Sequence, residues 1–198
     1  LNKAEQLPWE FGAQIRSGIQ PLFVFLISRL FYSLSIHNPF IISTVLRIII
    51  SIFSFLMYVK FVSFFENEVK GEKNKSLLWF ICLLFWCIPY YHTRLSSENV
   101  SSSFLLAGLN FFLSRKSKID FVKLFFCGFL FGISFLVRFQ MAFMIAGFFA
   151  WIILYEKVSL KFYFVFFSGL IFSIFLGLIV DKWFYGDWVL TWWRYLDV

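Results

Sequence analysis

An all-α fold, a polytopic integral-membrane helical bundle, is predicted by three observations. Hydrophobic residues supply 61% of the 198 positions and charged residues 15%, with a mean hydropathy of +0.81, which excludes an ordinary soluble domain. The apolar residues fall into long runs separated by short polar loops. The strand-period alternation of a membrane barrel is absent, which leaves helices as the way to satisfy backbone groups inside a bilayer.

The runs lie at about 18–36, 40–65, 77–91, 98–113, 121–137, 139–155 and 162–180. A helix needs about 20 residues to cross the hydrocarbon core. The shorter runs therefore need shielding by neighbours, or capping by interfacial Trp and Tyr. Phe accounts for 32 residues, an excess read as compositional bias, since at lipid-facing positions any apolar side chain serves. Cys82, Cys87 and Cys127 all fall inside apolar runs without metal-ligand spacing and read as small core residues. The formal charge of +7 does not point to nucleic acid, because the basic residues sit in loops between apolar runs. The chain starts Leu-Asn-Lys and stops at Asp197-Val198, so both ends are expected to be internal to a longer protein.

Charge bias sets the orientation. The loops at 66–76, 114–120 and 156–161 hold about eight Lys and Arg in roughly 24 residues, and the others hold about six in roughly 46, so the dense set is expected to face the cytoplasm. Residues 37–39, 92–97, around 138 and 181–198 then share the opposite face. A crossing helix at 18–36 would strand residues 1–17 on the wrong side. Arg29 in its middle, with Arg16 and Pro21 at its start, instead suits a surface-lying or re-entrant helix. The expected organisation is an outer-face loop and juxtamembrane helix over 1–39, a bundle of six spans over 40–180, and the start of an outer-face aromatic loop over 181–198.

Four polar constellations stand on that face. Trp9-Glu10 and Ile15-Arg16-Ser17 offer a carboxylate for sugar hydroxyls or proton abstraction and an arginine for a phosphate. Glu10 and Arg16 need not share a helical face, but a turn at Gly12 would bring them together. The alternative is an interfacial belt with Trp9 at headgroup depth. His92-Thr93-Arg94-Leu95-Ser96-Ser97-Glu98-Asn99 opens the run at 98–113. There Ser96 or Ser97 reads as an N-cap and Glu98 sits in the first turn. The polar stripe continuing through Asn99 and Ser101–Ser103 marks a site or a helix–helix contact. The sequon Asn99-Val100-Ser101 reads as accidental so near the membrane. Arg138-Phe139-Gln140-Met141 places Arg138 at a corner, for a lipid phosphate or for snorkelling to headgroups. Asp181 to Tyr195, with Tyr185 and Trp188, offers either a sugar-stacking surface or an aromatic belt. His37 and His92 are far apart, lack evident partners and read as poor catalytic bases.

Together these motifs resemble the GPI/dolichol-type mannosyltransferases, glycosyltransferase family 22 of the GT-C superfamily. Trp9-Glu10 with Ile15-Arg16-Ser17 is similar to that family's Trp-Glu…Ile-Arg-Ser signature. Arg94-Leu95-Ser96-Ser97-Glu98 resembles its Arg-Thr-x-Ser-Asn/Glu motif, with Leu95 where Thr is usual. Phe184-Tyr185-Gly186-x-Trp188-Val189 resembles its Phe-Tyr-Gly-x-Trp-Val segment, with Trp192 where many members have Pro. Arg138-Phe139-Gln140-Met141 is similar to bacterial members. The order of the motifs is the family's, over nearly the whole chain.

The resemblance implies a GT-C-like bundle whose site faces outward and whose run at 18–36 is a juxtamembrane helix. It implies transfer of a hexose from a polyprenyl-phosphate donor to a glycolipid or glycan acceptor, with inversion and without a cofactor or metal. Trp9, Arg16, Arg94, Glu98, Arg138, Tyr185 and Trp188 are the expected substrate-binding residues, and Glu10 is the expected supporting catalytic group. The family's His-x-Asp-Glu motif, which carries the catalytic Asp, is expected upstream of Leu1, so this stretch alone is expected to be inactive. The membrane is expected to be a bacterial inner membrane with the site facing the periplasm, or an endoplasmic reticulum membrane with the site facing the lumen. The rival readings are a transporter or flippase of a lipid-linked or anionic substrate and a non-catalytic membrane assembly subunit.

Overall fold

The computed structural model describes residues 9–85, 87–114, 120–156 and 158–197. Parts of the sequence reading lie outside them: Leu7-Pro8, the basic centre of the loop at 114–120, Lys157 and the side chain of Cys87. Among the described residues the fold is all-helical. In order come α1 (Trp9–Ala13), α2 (Ile19–Ser33), α3 (Pro39–Glu66), α4 (Glu72–Leu84), α5 (Cys87–His92), α6 (Ser97–Leu113), α7 (Phe121–Val137), α8 (Met141–Trp151), α9 (Leu160–Tyr185) and α10 (Thr191–Leu196). A π-helical turn at 152–156 extends α8.

Local chemistry fixes several of these ends. Asn38 caps α3 by accepting from the Phe40 N–H at 3.0 Å, and Pro39 opens the helix at a position whose own N–H is dispensable. Ser96 caps α6 by accepting from the Asn99 N–H at 3.3 Å, as its spacing predicts. Asp120 caps α7 through the Lys123 N–H at 3.3 Å.

Two expected elements differ. The run at 77–91 is not one helix: α4 ends at Leu84, Phe85 is extended (ψ 123°), and α5 starts at Cys87. Pro89 accounts for the break, because in a continuous helix its ring would clash with the Phe85 carbonyl and its missing N–H would leave that carbonyl unpaired. The expected aromatic loop at 181–198 also starts later. Helix α9 continues through Tyr185 and stops where Gly186 adopts φ +84°, the left-handed conformation that suits glycine, before α10 forms.

Helix α7 is the centre, packed between α6 and α9, with α3 against the far side of α6. Where α7 meets α9 the backbones touch. A Cβ on Gly128 would stand 2.0 Å from the Phe166 carbonyl oxygen, and one on Gly169 would stand 2.1 Å from that of Phe125. Small residues at this contact let two helices gain van der Waals packing where lipid gives no hydrophobic drive. Around it, Phe131, Phe162 and Phe166 are fully buried, and Phe131 meets Phe166 edge-on at 5.5 Å. Cys127 shares this core, and neither it nor the half-buried Cys82 is in a disulfide. Other phenylalanines point outward, with Phe143 81% and Phe164 77% exposed, as a lipid-facing surface requires.

Among the described residues, two helices are long and apolar enough to cross a membrane, α3 (mean hydropathy 2.3) and α9 (2.4). Only 22% of each crossing window is buried, so most of their apolar surface faces outward. Helix α2, helix α7 and α8 with its π turn are shorter apolar helices.

Candidate active site

The start of α2, the start of α6, the ends of α7 and α9, and α10 converge at one end of the bundle. Two neighbouring cavities open there, of about 550 and 380 Å³. The larger is mainly apolar, walled by Phe11, Pro21, Val24, Phe25, Val137, Phe184 and Tyr185. The smaller is polar, walled by Ser96, Ser97, Glu98, Arg138, Gln140 and Tyr195. They share Arg16, Ser17, Gln20, Ser97 and Val137, so an apolar and a polar cavity abut at a common wall that includes Arg16.

Glu10 and Arg16 are brought together: Arg16 Nη2 donates to Glu10 Oε1 at 2.7 Å. The reversal that does this is not at Gly12, which lies inside α1. It is at Gln14, whose φ is +55°. Arg138, the C-cap of α7, pairs with Glu98 in the first turn of α6. Each of the two cavity-lining arginines thus carries its own carboxylate. Gln140 Nε2 donates to the Tyr195 hydroxyl at 2.6 Å, and Phe139 packs on the Tyr195 ring at 5.6 Å, closing the polar cavity with α10.

Other predicted residues lie apart from this space. Trp9 is 67% exposed and lines neither cavity. Arg94 is exposed and stacks over the Tyr90 ring at 5.5 Å. Trp188 is 63% exposed and lies under Lys182 Nζ, 4.3 Å from the ring centroid. Tyr185 gives its ring to the apolar wall, but its hydroxyl is committed to the Arg16 carbonyl at 2.6 Å.

The polar stripe of α6 divides between the two roles open to it. Glu98 faces the cleft, whereas Asn99, Ser101 and Ser103 are buried in helix contacts. The Asn99 amide donates to the carbonyls of His92 (3.1 Å) and Arg94 (2.8 Å), and its Oδ1 accepts from Ser54 of α3 at 2.9 Å. With no exposure and both N–H groups engaged, Asn99 is not a glycan acceptor in the folded chain. His92 does have a partner, contrary to the sequence reading. The Ser54 proton goes to Asn99, so Ser54 Oγ accepts from His92 Nδ1, leaving buried Nε2 as a bare acceptor. The ring also packs beside Tyr58 at 5.2 Å, while His37 stacks on Tyr32 at 5.3 Å.

Sequence reasoning did not single out Gln20, and it named Ser17 and Tyr195 only as members of longer motifs. Gln20 carried a faint signal, as an isolated amide in an apolar run. Among the described residues no three His, Cys, Asp or Glu side chains gather as metal ligands would.

Outward-facing apolar helices, with a polar cleft at one end of the bundle, mark an integral membrane protein. The chain matches the Alg9-like mannosyltransferase family over residues 1–197 and belongs to it. This is the family its motifs resemble, and membership makes the protein a membrane glycosyltransferase. No curated protein and no solved structure matches the chain.

Proposed function

We propose that these residues form the donor-binding part of an enzyme that transfers a hexose, mannose in the first instance, from a polyprenyl phosphate to a lipid-linked or glycan acceptor. The observation that carries this reading is that an apolar and a polar cavity lie side by side with Arg16 in the wall between them. A polyprenyl-phosphate sugar is apolar at one end, anionic in the middle and hydroxyl-rich at the other. The apolar wall of Pro21, Val24, Phe25 and Phe184 suits the first prenyl units, and Arg16, at the junction, suits the phosphate. Glu98, Gln140 and Tyr195 suit sugar hydroxyls.

In this reading the acceptor oxygen attacks C1 as the C1–O bond to phosphate breaks, inverting the centre in one displacement. The acceptor proton passes to the Asp base that the family carries upstream. Arg16 and Arg138 offset the charge on the departing polyprenyl phosphate, and Glu10 holds Arg16 and orients the acceptor. The proposed topology is six spans over 40–180, with α2 lying at the membrane surface. The cleft faces the periplasm of a bacterial inner membrane, or the lumen of the endoplasmic reticulum. A transporter would need polar access from both ends, whereas both of these cavities lie at one.

The test is initial-rate kinetics of the full-length protein in proteoliposomes, with polyprenyl-phosphate mannose varied. Arg16→Ala is expected to raise the donor KM about tenfold, the loss of one charge-assisted contact. An unchanged donor KM would remove Arg16 from the phosphate site.

A further inference from the structure

We propose that Asp181 is a positioning residue that clamps the Arg16-Ser17-Gly18 segment and thereby aims Arg16 into the cleft. Asp181 is 1% exposed and lines neither cavity, so it is not placed to meet substrate. Its Oδ1 accepts from Ser17 Oγ at 2.8 Å and from the Gly18 N–H at 2.7 Å. Its Oδ2 accepts from Thr191 Oγ1 at 3.1 Å, tying α10 to the same carboxylate.

The clamp answers a deficiency in α2. The N-cap of that helix is Gly18, which has no side chain to satisfy the orphan N–H groups of the first turn. The carboxylate arriving from α9 takes one of these, the N–H of Gly18 itself, and brings negative charge to the positive end of the α2 dipole. One turn further along α9, the Tyr185 hydroxyl donates to the Arg16 carbonyl. Phe184 fills the space where Gly18 lacks a side chain, since a Cβ there would stand 2.8 Å from the Phe184 Cβ. The backbone is therefore gripped at the Arg16 oxygen and the Gly18 nitrogen, with the Ser17 side chain held between them. The Arg16 guanidinium is left free of the clamp to meet Glu10 at the cleft. The Ile-Arg-Ser and Phe-Tyr-Gly motifs, at opposite ends of the chain, are the two halves of one joint.

The effect on catalysis rests on the reading of Arg16 as a donor contact, and the effect on the backbone does not. Two measurements on the full-length protein keep these apart. The first is hydrogen–deuterium exchange of peptides covering residues 15–22 in Asp181→Ala and in the milder Thr191→Val. Faster exchange at Gly18 is expected in both, larger in Asp181→Ala. Unchanged exchange in both overturns the proposal, and Thr191→Val decides it if Asp181→Ala does not accumulate in the membrane.

The second measurement is the polyprenyl-phosphate mannose KM against kcat in a cycle with Arg16→Ala. Asp181→Ala is expected to raise KM about tenfold, with any fall in kcat no larger than that of Arg16→Ala. The Arg16→Ala/Asp181→Ala double variant is expected within about twofold of Arg16→Ala, because the two substitutions remove one contact. Asp181→Asn, whose Oδ1 still accepts from Ser17 and Gly18, is expected to recover most of the KM. Multiplying effects, or no recovery by Asn, overturn the positioning role. Faster exchange with no KM effect of Arg16→Ala overturns the donor reading and leaves the clamp standing.

Discussion

Arg138 and Glu98 form an ion pair that joins the end of α7 to the start of α6 across the polar cavity. Their side chains are 30% and 47% exposed, so water screens the pair and its contribution to stability is at most about 1 kcal/mol. Its significance is for charge. With Arg16–Glu10, it leaves the cleft holding two arginines, each already matched by a carboxylate. An incoming phosphate must compete with those carboxylates.

Kinetics should show that competition. Glu98→Gln is expected to lower the donor KM about threefold by freeing Arg138, and Arg138→Ala is expected to raise it about tenfold. Both variants should melt close to the parent. A donor KM indifferent to both changes would remove Arg138 from the donor site.

Asn99 is expected to be the most sensitive polar position outside the cleft. Asn99→Leu strands the Ser54 hydroxyl and the carbonyls of His92 and Arg94, each of which loses a bond to its amide. The expected loss is about 2–4 kcal/mol, read by denaturation in mixed micelles. Asn99→Asp should be at least as harmful, because it turns an oxygen toward two carbonyl oxygens. Ser103→Ala, which removes a bond to the Asn99 carbonyl one turn back in its own helix, should cost under about 1 kcal/mol.

The helix contact predicts a contrast among glycines. Gly128→Ala drives a methyl into the Phe166 carbonyl and is expected to destabilise by about 1–3 kcal/mol, visible as a lower melting temperature in detergent. At Gly147 in α8 a Cβ meets nothing within 4 Å, so Gly147→Ala is expected to be neutral or to stabilise by about 0.4–1 kcal/mol. Equal effects at the two positions would show that α7 and α9 do not meet as described.

Topology is open to labelling in a background with Cys82, Cys87 and Cys127 replaced. Gly12→Cys, His37→Cys and Asp187→Cys are expected to react with an impermeant maleimide from one side, and Asn74→Cys only after permeabilisation. Opposite behaviour of the first two would make α2 a crossing helix.

Much of the fold was legible because its signals are local. The apolar runs at 40–65, 98–113 and 121–137 match α3, α6 and α7 to within a residue, and the Ser96 cap read from the sequence bonds an N–H three residues on. The family motifs likewise read directly, and the structure draws Glu10, Arg16, Glu98, Arg138 and Tyr185 to one end. What was not legible depends on distant partners. Asp181 looked like one acid in an aromatic segment, since Ser17 and Gly18 lie more than 160 positions away. His92 looked isolated because Ser54 is 38 residues upstream. The run at 77–91 misled for a different reason: hydropathy is blind to the conformational veto of Pro89.

The backbone contact at Gly169 sets a ruler for the rest of α9. From that fixed point to Asp181 is about three helical turns, with no turn or bend between them. One inserted or deleted residue in this stretch would swing the carboxylate about 100° around the helix and shift it about 1.5 Å along the axis. The carboxylate would then point away from Ser17. Residues 170–180 therefore act as a spacer in which length is constrained more tightly than spelling. Outward positions there can hold any apolar side chain, whereas a change in the number of residues would turn Asp181 away from Ser17.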